Sequence, residues 1–421
     1  MYPHRIRLGG PWHYEPISRS LILPNGKIER WESDCPSSGQ FRVPASWSGT
    51  PLDGFRGRVR WRRGFQAPRQ LDPDEQLWLT FGGVDYFASV SLNGVPLGDH
   101  EGYFEPFEFD ITNLLTGRNE LSMEVECPAE SNRASRRMLR GVLDSLHPTF
   151  VAGLWRGVAL EVRSIAQLRN VRIETDLVGR SGRLSVTGRV VGRPGTKVTV
   201  ELIAGEAWLD QTALELAPEA APFALRGELA DVEPWWPNGM GTARLYPVRV
   251  VLHGAARTLD TLDRAVGFRE IEFNAEMSQV EVNDQQVPPR IHELDCSVDP
   301  LLTRPELVER QLAAAHQPGT LAVFHPRGRI AHQVWYDWAD RRGVPLIQEF
   351  PCSAAGIVDT SLRTEAVREA EVMACQLAHH PSIFLWSCNC GPGKRAESLA
   401  ESVGATIRRL DSTRIVCCQS L

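Results

Sequence analysis

Near residue 272 the periodicity of the chain changes, and this change constrains the fold more than any other feature. Before it, apolar and polar residues alternate over short runs: LWLTFGGV (77–84), ASVSLNGVPLG (88–98), NELSMEVEC, then LRNVRIETDL, GRLSVTGRVVG, KVTVELIAG and ARLYPVRVVLHG. A period of two sends one face of each run into a core and the other into water, the pattern of half-buried antiparallel strands. Beyond 272 extended runs alternate with helical ones: TLAVFH, IAHQVWYDWADRRG, VPLIQEF, residues 361–380, SIFLWSC, residues 393–411 and RIVCC. Strand–helix–strand order calls for parallel strands joined by right-handed crossovers.

The expected fold is therefore multidomain, β plus α/β. Residues 1–165 read as a jelly-roll β-sandwich, 166–271 as an immunoglobulin-like β-sandwich, and 272–421 as a partial, TIM-type β/α barrel of about five strands, where a closed one takes eight. The length agrees, since 421 residues at about 150 per domain suggest about three domains. Local signals mark the turns. Asn93-Gly94 is a hairpin pair, because both residues tolerate positive φ. Thr303, Pro305 and Glu306 open a helix as cap, first-turn proline and capping-box acid. Gly343 should end the helix before VPLIQEF. Residues 127–150, polar and Arg-rich, read as a long loop leaving the first sandwich. The prolines of PWWPNG (234–239) forbid a central strand, so its tryptophans sit on a stiff corner and are expected to pack between domains.

Composition removes several functions. Hydrophobic residues make up 42%, charged residues 23%, and the formal net charge is -6 with no basic run, which argues against a nucleic-acid partner and a polybasic membrane patch. No stretch approaches the roughly 18 continuous apolar residues of a membrane span. The N-terminus MYPHRIRLGGPWHYEP lacks the apolar segment of a secretory signal. Of nine cysteines only Cys35 and Cys127 precede residue 290, too uneven for a disulfide framework, so a reducing, cytoplasmic setting is expected.

Several phrases carry a resemblance. FRGRVRWRRGFQAP (55–68), SLNGVPLGDHEGYFEPFEFDIT (91–112) and AGLWRGVALE (152–161) resemble the N-terminal sugar-binding sandwich of glycoside hydrolase family 2, the family of β-galactosidases, β-glucuronidases and β-mannosidases. PWWPNG with LYPVRVVL, and VGFREIEF (266–273), are similar to its immunoglobulin-like domain. VEVNDQQVPPRIH (280–292), WYDWADRRGVPLIQEFP, HHPSIFLWS and RRLDSTRIV resemble successive barrel segments in the right order. PWWPNG and QEFP lean toward the β-mannosidase branch.

The resemblance implies O-glycosyl hydrolysis, yet the residues depart from it. Retaining glycosidases flank the scissile bond with two carboxyl groups about 5 Å apart, one protonating the leaving oxygen and one attacking the anomeric carbon. In the family the acid lies in an Asn-Glu pair after strand four. In HHPSIFLWSCNCGPGKR (379–395) that slot falls on Cys390-Gly391 or Asn389-Cys390, and neither alignment supplies a carboxyl. The family's nucleophile belongs to strand seven, and Leu421 falls near strand five. In TLAVFHPRG, Ala322 takes the slot of an arginine that helps hold the nucleophile. Arg290 survives at the start of the barrel, followed by His292 and Glu293 in place of Gly-Asn. In LDSLHP (143–148), Asp144 stands where β-mannosidase relatives place a sugar-contacting Asp, without the flanking tryptophans.

Chemistry in such sheets gathers at the C-terminal ends of the strands. There the sequence places His292, Glu293, Asp295 and Cys296; His325; Glu349 and Cys352; Cys388, Asn389 and Cys390; then Cys417, Cys418 and Gln419. Three readings stay open. The first is a non-hydrolytic relative binding a carbohydrate or glycoconjugate, or scaffolding a partner, through Asp144, Arg290, His292, His325, Trp386 and Asn389, with no cofactor. The second is an active hydrolase completed by a partner chain or by unconventional groups, with Glu349, Glu293 or Cys390 as catalytic candidates. The third is a metal or thiol site, with His292, His325, Cys352, Cys388 and Cys390 as zinc ligands, or with Cys390 or Cys388 as a nucleophile activated by His292 or His325. Small buried cysteines filling a former sugar pocket are the plain alternative. The unpaired edge strands of a half barrel predict a homo-oligomer or a partner covering them.

Overall fold

The structure is a computed structural model, and it describes residues 3–419 except 24–26, 69–70, 131–151, 275–278, 288–289, 294–308, 311–312, 314–321, 326–329, 353–359 and 392. The predicted cap at Thr303, the loop residue Asp144, and Asp295 and Cys296 lie outside the described residues. For Arg290, His292, Glu293 and His325 the main chain alone is described. The chain divides into two compact units, one built from Pro3–Arg163 with a short stretch beginning at Pro351, the other from Ser164–Phe350 and the segment up to Leu421.

The first unit is made of two sheets. A four-stranded antiparallel sheet orders His4–Arg7, Val158–Arg163, Gln76–Phe81 and Phe107–Asp110. A larger sheet runs Ala129–Glu130, Gly10–Ile22, Gly57–Phe65, Asn119–Cys127, Tyr86–Leu92 and Val95–Gly102, with Ile28–Trp31 and Gly39–Val43 also pairing Gly10–Ile22. The alternation seen in the sequence becomes a buried row. Tyr14 pairs with Trp61, Trp61 with Met123 and Met123 with Val90, at 5%, 0%, 0% and 3% exposure. Cross-strand neighbours of this kind are the unit of sheet stabilisation. The Asn93-Gly94 turn takes φ of 53° and 80° as expected. Asn93 also ties the hairpin to the adjacent strand, its Oδ1 accepting from Glu120 N at 2.9 Å and its Nδ2 donating to Asn119 Oδ1 at 2.9 Å.

The second unit begins with another pair of sheets. Ala166–Val178, Ser181–Gly192 and Ala221–Leu229 form one; Ala207–Glu215, Lys197–Ala204, Tyr246–His253 and Thr258–Val266 form the other. Val198, Val200 and Leu202 from one sheet share a single core with Leu184, Val186 and Val190 from the other. Each such side chain, fully buried, contributes about 1.5–3 kcal/mol. A small antiparallel sheet, Ile271–Asn274, Gln279–Val282 and Gln285–Val287, follows.

The remainder is a five-stranded parallel sheet whose spatial order equals its chain order: β1 (Arg290–Glu293), β2 (Ala322–His325), β3 (Leu346–Glu349), β4 (Ile383–Ser387) and β5 (Ile415–Cys417). Helix α1 (Gln333–Arg342) precedes β3, α2 (Thr360–Leu377) precedes β4, and α3 (Lys394–Leu410) precedes β5. Gly343 caps α1 at φ 68°, as the sequence requires. The molecule as described is mostly β-sheet with few helices.

The PWWPNG corner sits inside the second unit. Trp235 is fully buried, donates its indole N–H to Asp340 O at 2.8 Å and meets Phe384 edge to face at 5.9 Å. Asn238 N donates to Gly343 O at 2.7 Å. These contacts fasten the corner to α1 and β4.

Candidate functional site

The C-terminal rim of the parallel sheet is where the candidates converge. Register aligns Glu293 with His325 at the ends of β1 and β2, and Glu349, Ser387 and Cys417 in one row across β3, β4 and β5. Phe350 N donates to Ser387 O, and Cys388 N to Cys417 O, both at 2.7 Å, so pairing continues past the strand ends. Glu349 is half-buried at this rim, beside Gln348. Gln348 is buried, accepts from Tyr336 Oη at 2.6 Å and donates to Glu349 O at 2.7 Å.

After β4 the chain turns through Cys388, Asn389, Cys390 and Gly391. Asn389 Oδ1 accepts from Gly391 N at 2.9 Å, a side-chain turn that consumes the amide oxygen. Gly391 and Gly393 take φ of 102° and 104°, a region that penalises any Cβ, and α3 begins at Lys394. Cys388 and Cys390 are both fully buried, and Cys390 Sγ donates to Cys388 O at 3.5 Å. Between Ser387 and Lys394 the sequence holds no carboxylate, and Glu397 lies exposed in the first turn of α3.

One sequence expectation is corrected here. Trp386 is not available to a sugar, because it is fully buried and its indole N–H donates to Asp411 Oδ2 at 2.8 Å. Cys352, after β3, is buried as well.

Another cluster escaped the sequence reading. Asp337, Asp340 and His380 bring one ligand atom each within 4.8 Å of one another. Asp340 accepts from Ser382 N and Oγ, at 3.1 and 2.6 Å, and contacts His380 Nδ1 at 2.6 Å. With both oxygens so engaged, Asp340 forms a buried strut to His380 and Ser382. Burial raises the Asp337 carboxyl, against His380. Burial also drives His379 far below the usual imidazole range, which keeps its ring neutral. The spacing of Asp337 and Asp340, one helical turn apart in WYDWADRRG, was the available signal.

Beside it runs a second buried network. Arg269 donates to Pro381 O at 2.7 Å and Ile383 O at 2.8 Å, while Arg414 donates to Ile383 O at 2.8 Å and His380 O at 2.7 Å. Burial, with Arg414 next, pushes the Arg269 guanidinium down. Asp411 pairs with Arg414 at 2.6 Å. Burial alone would raise the Asp411 carboxyl, but Arg414 and the bonds from Trp386 and Thr413 outweigh it and hold the carboxyl low. These charges secure the start of β4, the end of a parallel sheet that carries stability rather than chemistry.

Comparison with known proteins places this geometry. The family described as glycosyl hydrolase 2 galactose-binding domain-like matches residues 56–151, and glycosyl hydrolases family 2 matches residues 166–269. Beta-mannosidase B of Aspergillus terreus is 24% identical over 388 residues, covering 80% of this chain and 45% of the relative. Beta-galactosidase of Thermoanaerobacterium thermosulfurigenes is 21% identical over 374 residues, covering 81% and 48%. The crystal structure of a beta-D-mannosidase from Dictyoglomus thermophilum matches with a TM-score of 0.76 at 18% identity, over 98% of this chain and 57% of that one, a likeness of fold. The chain thus spans less than half the length of these two sequence relatives. Residues 56–151 and 166–269 thus carry the two family 2 matches, and the relatives extend the likeness to glycoside hydrolase family 2 over about four-fifths of the chain.

Proposed function

We propose that this chain binds a carbohydrate or glycoconjugate on its family 2 scaffold and does not cleave glycosidic bonds with its own residues. The observation that carries the reading is the turn after β4. Where the resemblance places the family's acid, this chain has two buried thiols and an asparagine whose amide oxygen accepts from Gly391 N. Loss of a general acid costs about 10²–10⁴ in rate. The relatives' names point to β-mannosides and β-galactosides as the ligand class. The β/α part is read as the opening strands of a TIM-type barrel, supported by parallel strands in chain order. Its outer strands β1 and β5 are the edges a second copy or a partner would pair. No described helix is long and apolar enough to cross a membrane, and no described cysteine is in a disulfide. The cysteines suit a reducing, cytoplasmic setting.

A second reading has one observation in its favour. Glu349 stands at the rim in register with Ser387, the position from which a displaced carboxyl would reach the site. A panel of nitrophenyl β-mannoside, β-galactoside and β-glucuronide, run beside calorimetric titration with the free sugars, separates the two. Heat of binding with no nitrophenol release is the expected result. Turnover that Glu349→Gln abolishes would overturn it.

A further inference from the structure

Past the end of β4, two cysteines face each other across the sheet rim. Ser387 and Cys417 pair in the parallel register, so Cys388 lies opposite Cys418, one step further along both strands. The bond from Cys388 N to Cys417 O, at 2.7 Å, holds that register beyond the last paired residue. Neighbouring strands lie about 4.8 Å apart, inside the roughly 4.4–6.8 Å between Cα atoms that a disulfide spans. The two thiols share a hydrogen bond, and neither is in a disulfide.

The surroundings of Cys418 are built rather than incidental. Gly404 and Arg408 stand one turn apart on the same face of α3. A Cβ at Gly404 would fall 2.4 Å from Cys418 Sγ, so the glycine is what lets the sulfur lie against the helix. Arg408 Nη2 then donates to that sulfur at 3.3 Å and to Val416 O at 3.3 Å. Cys388 is fully buried, whereas Cys418 is partly open to solvent. One thiol is therefore positioned to meet a small oxidant, and the other is sheltered behind it. Cys417 is turned away by the strand alternation and donates to Gln419 O at 3.5 Å.

We propose that Cys418 and Cys388 form a peroxide-reactive dithiol, a reversible modification site that cross-links β5 to the turn after β4. The Cys418 thiolate attacks the O–O bond of a hydroperoxide, forming S–O and expelling an alcohol or water once the leaving oxygen takes a proton. The sulfur of Cys388 then attacks the Cys418 sulfenic acid, forming S–S and releasing water. Overall, two thiols lose two electrons and two protons, and the peroxide is reduced by the same two electrons. The division of labour agrees with acidity. The hydrogen bond from Cys388, then Arg408, lower Cys418 to about 7, while that bond and burial push Cys388 far up. A low-pKa, accessible thiol beside a resolving partner is the arrangement of redox-sensitive cysteines. Closure would also fix the backbone at the position where the family carries its acid.

The test uses the full chain, reduced and then treated with one equivalent of hydrogen peroxide, followed by alkylation and peptide mapping. The expected product is one linked peptide pair containing Cys388 and Cys418, reversed by dithiothreitol. Arg408→Ala should slow iodoacetamide labelling of Cys418 at pH 7 several-fold. The wild-type map needs no variant, so a folding defect in any substitution leaves the result readable. Oxidation of Cys418 to the sulfinic acid without a cross-link would overturn the proposal. So would linkage of Cys418 to Cys417 or to a second chain.

Discussion

Asp340 Oδ2 lies 2.6 Å from Nδ1 of His380, and both side chains are almost wholly buried, at 3% and 1% exposure. With Ser382 held by the other carboxylate oxygen, this contact joins α1 to the residues that launch β4. The His-Pro-Ser phrase is thereby given a structural purpose. It sets the start of the strand whose far end leads into the Cys388–Gly391 turn.

Asp340→Ala should therefore destabilise the second unit by about 3 kcal/mol, since it leaves the Ser382 N–H and hydroxyl buried without their acceptor. Chemical denaturation followed by tryptophan fluorescence is the check. Trp235 lies against this helix and reports the loss directly. A change below about 0.5 kcal/mol, the range of ordinary surface substitutions, would contradict the strut.

Asp411 gives a pH signature. Its carboxyl is held low in the folded chain, so it binds fewer protons there than in the unfolded chain. Its contribution is full above the unfolded value of about 3.9 and disappears as pH falls through the depressed folded value. Asp411→Asn leaves Arg414 buried without its anion and should cost about 3 kcal/mol at pH 7. The gap between wild type and variant should close in acid. A gap constant from pH 7 to pH 3 would show that Asp411 acts through packing alone.

Trp386→Phe separates a core residue from a sugar platform. The variant loses the indole N–H to a charged acceptor, about 1.5–3 kcal/mol, while filling most of the same volume. Stability should fall by that amount in a melt, with the affinity for any bound sugar unchanged. A selective loss of sugar binding at unaltered stability would return Trp386 to the ligand.

Much of this was legible in the residues, for reasons that differ by region. The sandwich strands could be read because Tyr14, Trp61, Met123 and Val90 sit in alternating runs whose buried face the period of two already marks. Asn93-Gly94 and Gly343 were legible because their backbone angles tolerate few other residues. That no carboxylate stands between Ser387 and Lys394 was legible directly in the residues. The purpose of Trp386 was not, since an aromatic beside a strand end looks alike whether it faces a sugar or an aspartate on a distant loop. Arg269, Asp411 and Arg414 meet across more than a hundred residues of sequence, and no local period announces such a network. Cys388 and Cys418 appeared in sequence as members of a crowded rim. Only the parallel register paired them.

The turn after β4 yields the last expectation. Cys390→Glu puts a carboxyl in the slot that the shifted family alignment assigns to the acid, but the position is fully buried and its thiol is directed at Cys388 O. A larger side chain there overpacks the turn by about 1–3 kcal/mol. The carboxyl also meets a poorly hydrated site, which raises its pKa above the unfolded value of about 4.3. A folded state that holds its proton more tightly than the unfolded one loses stability as pH rises through that window. The variant should consequently lie closer to wild type at pH 5 than at pH 8 in urea denaturation. Nitrophenyl glycoside turnover should stay at the wild-type level, because an acid buried in the turn cannot reach a leaving oxygen. If Cys390→Glu instead gains measurable turnover, the slot is open to substrate and the non-hydrolytic reading reduces to a single lost side chain.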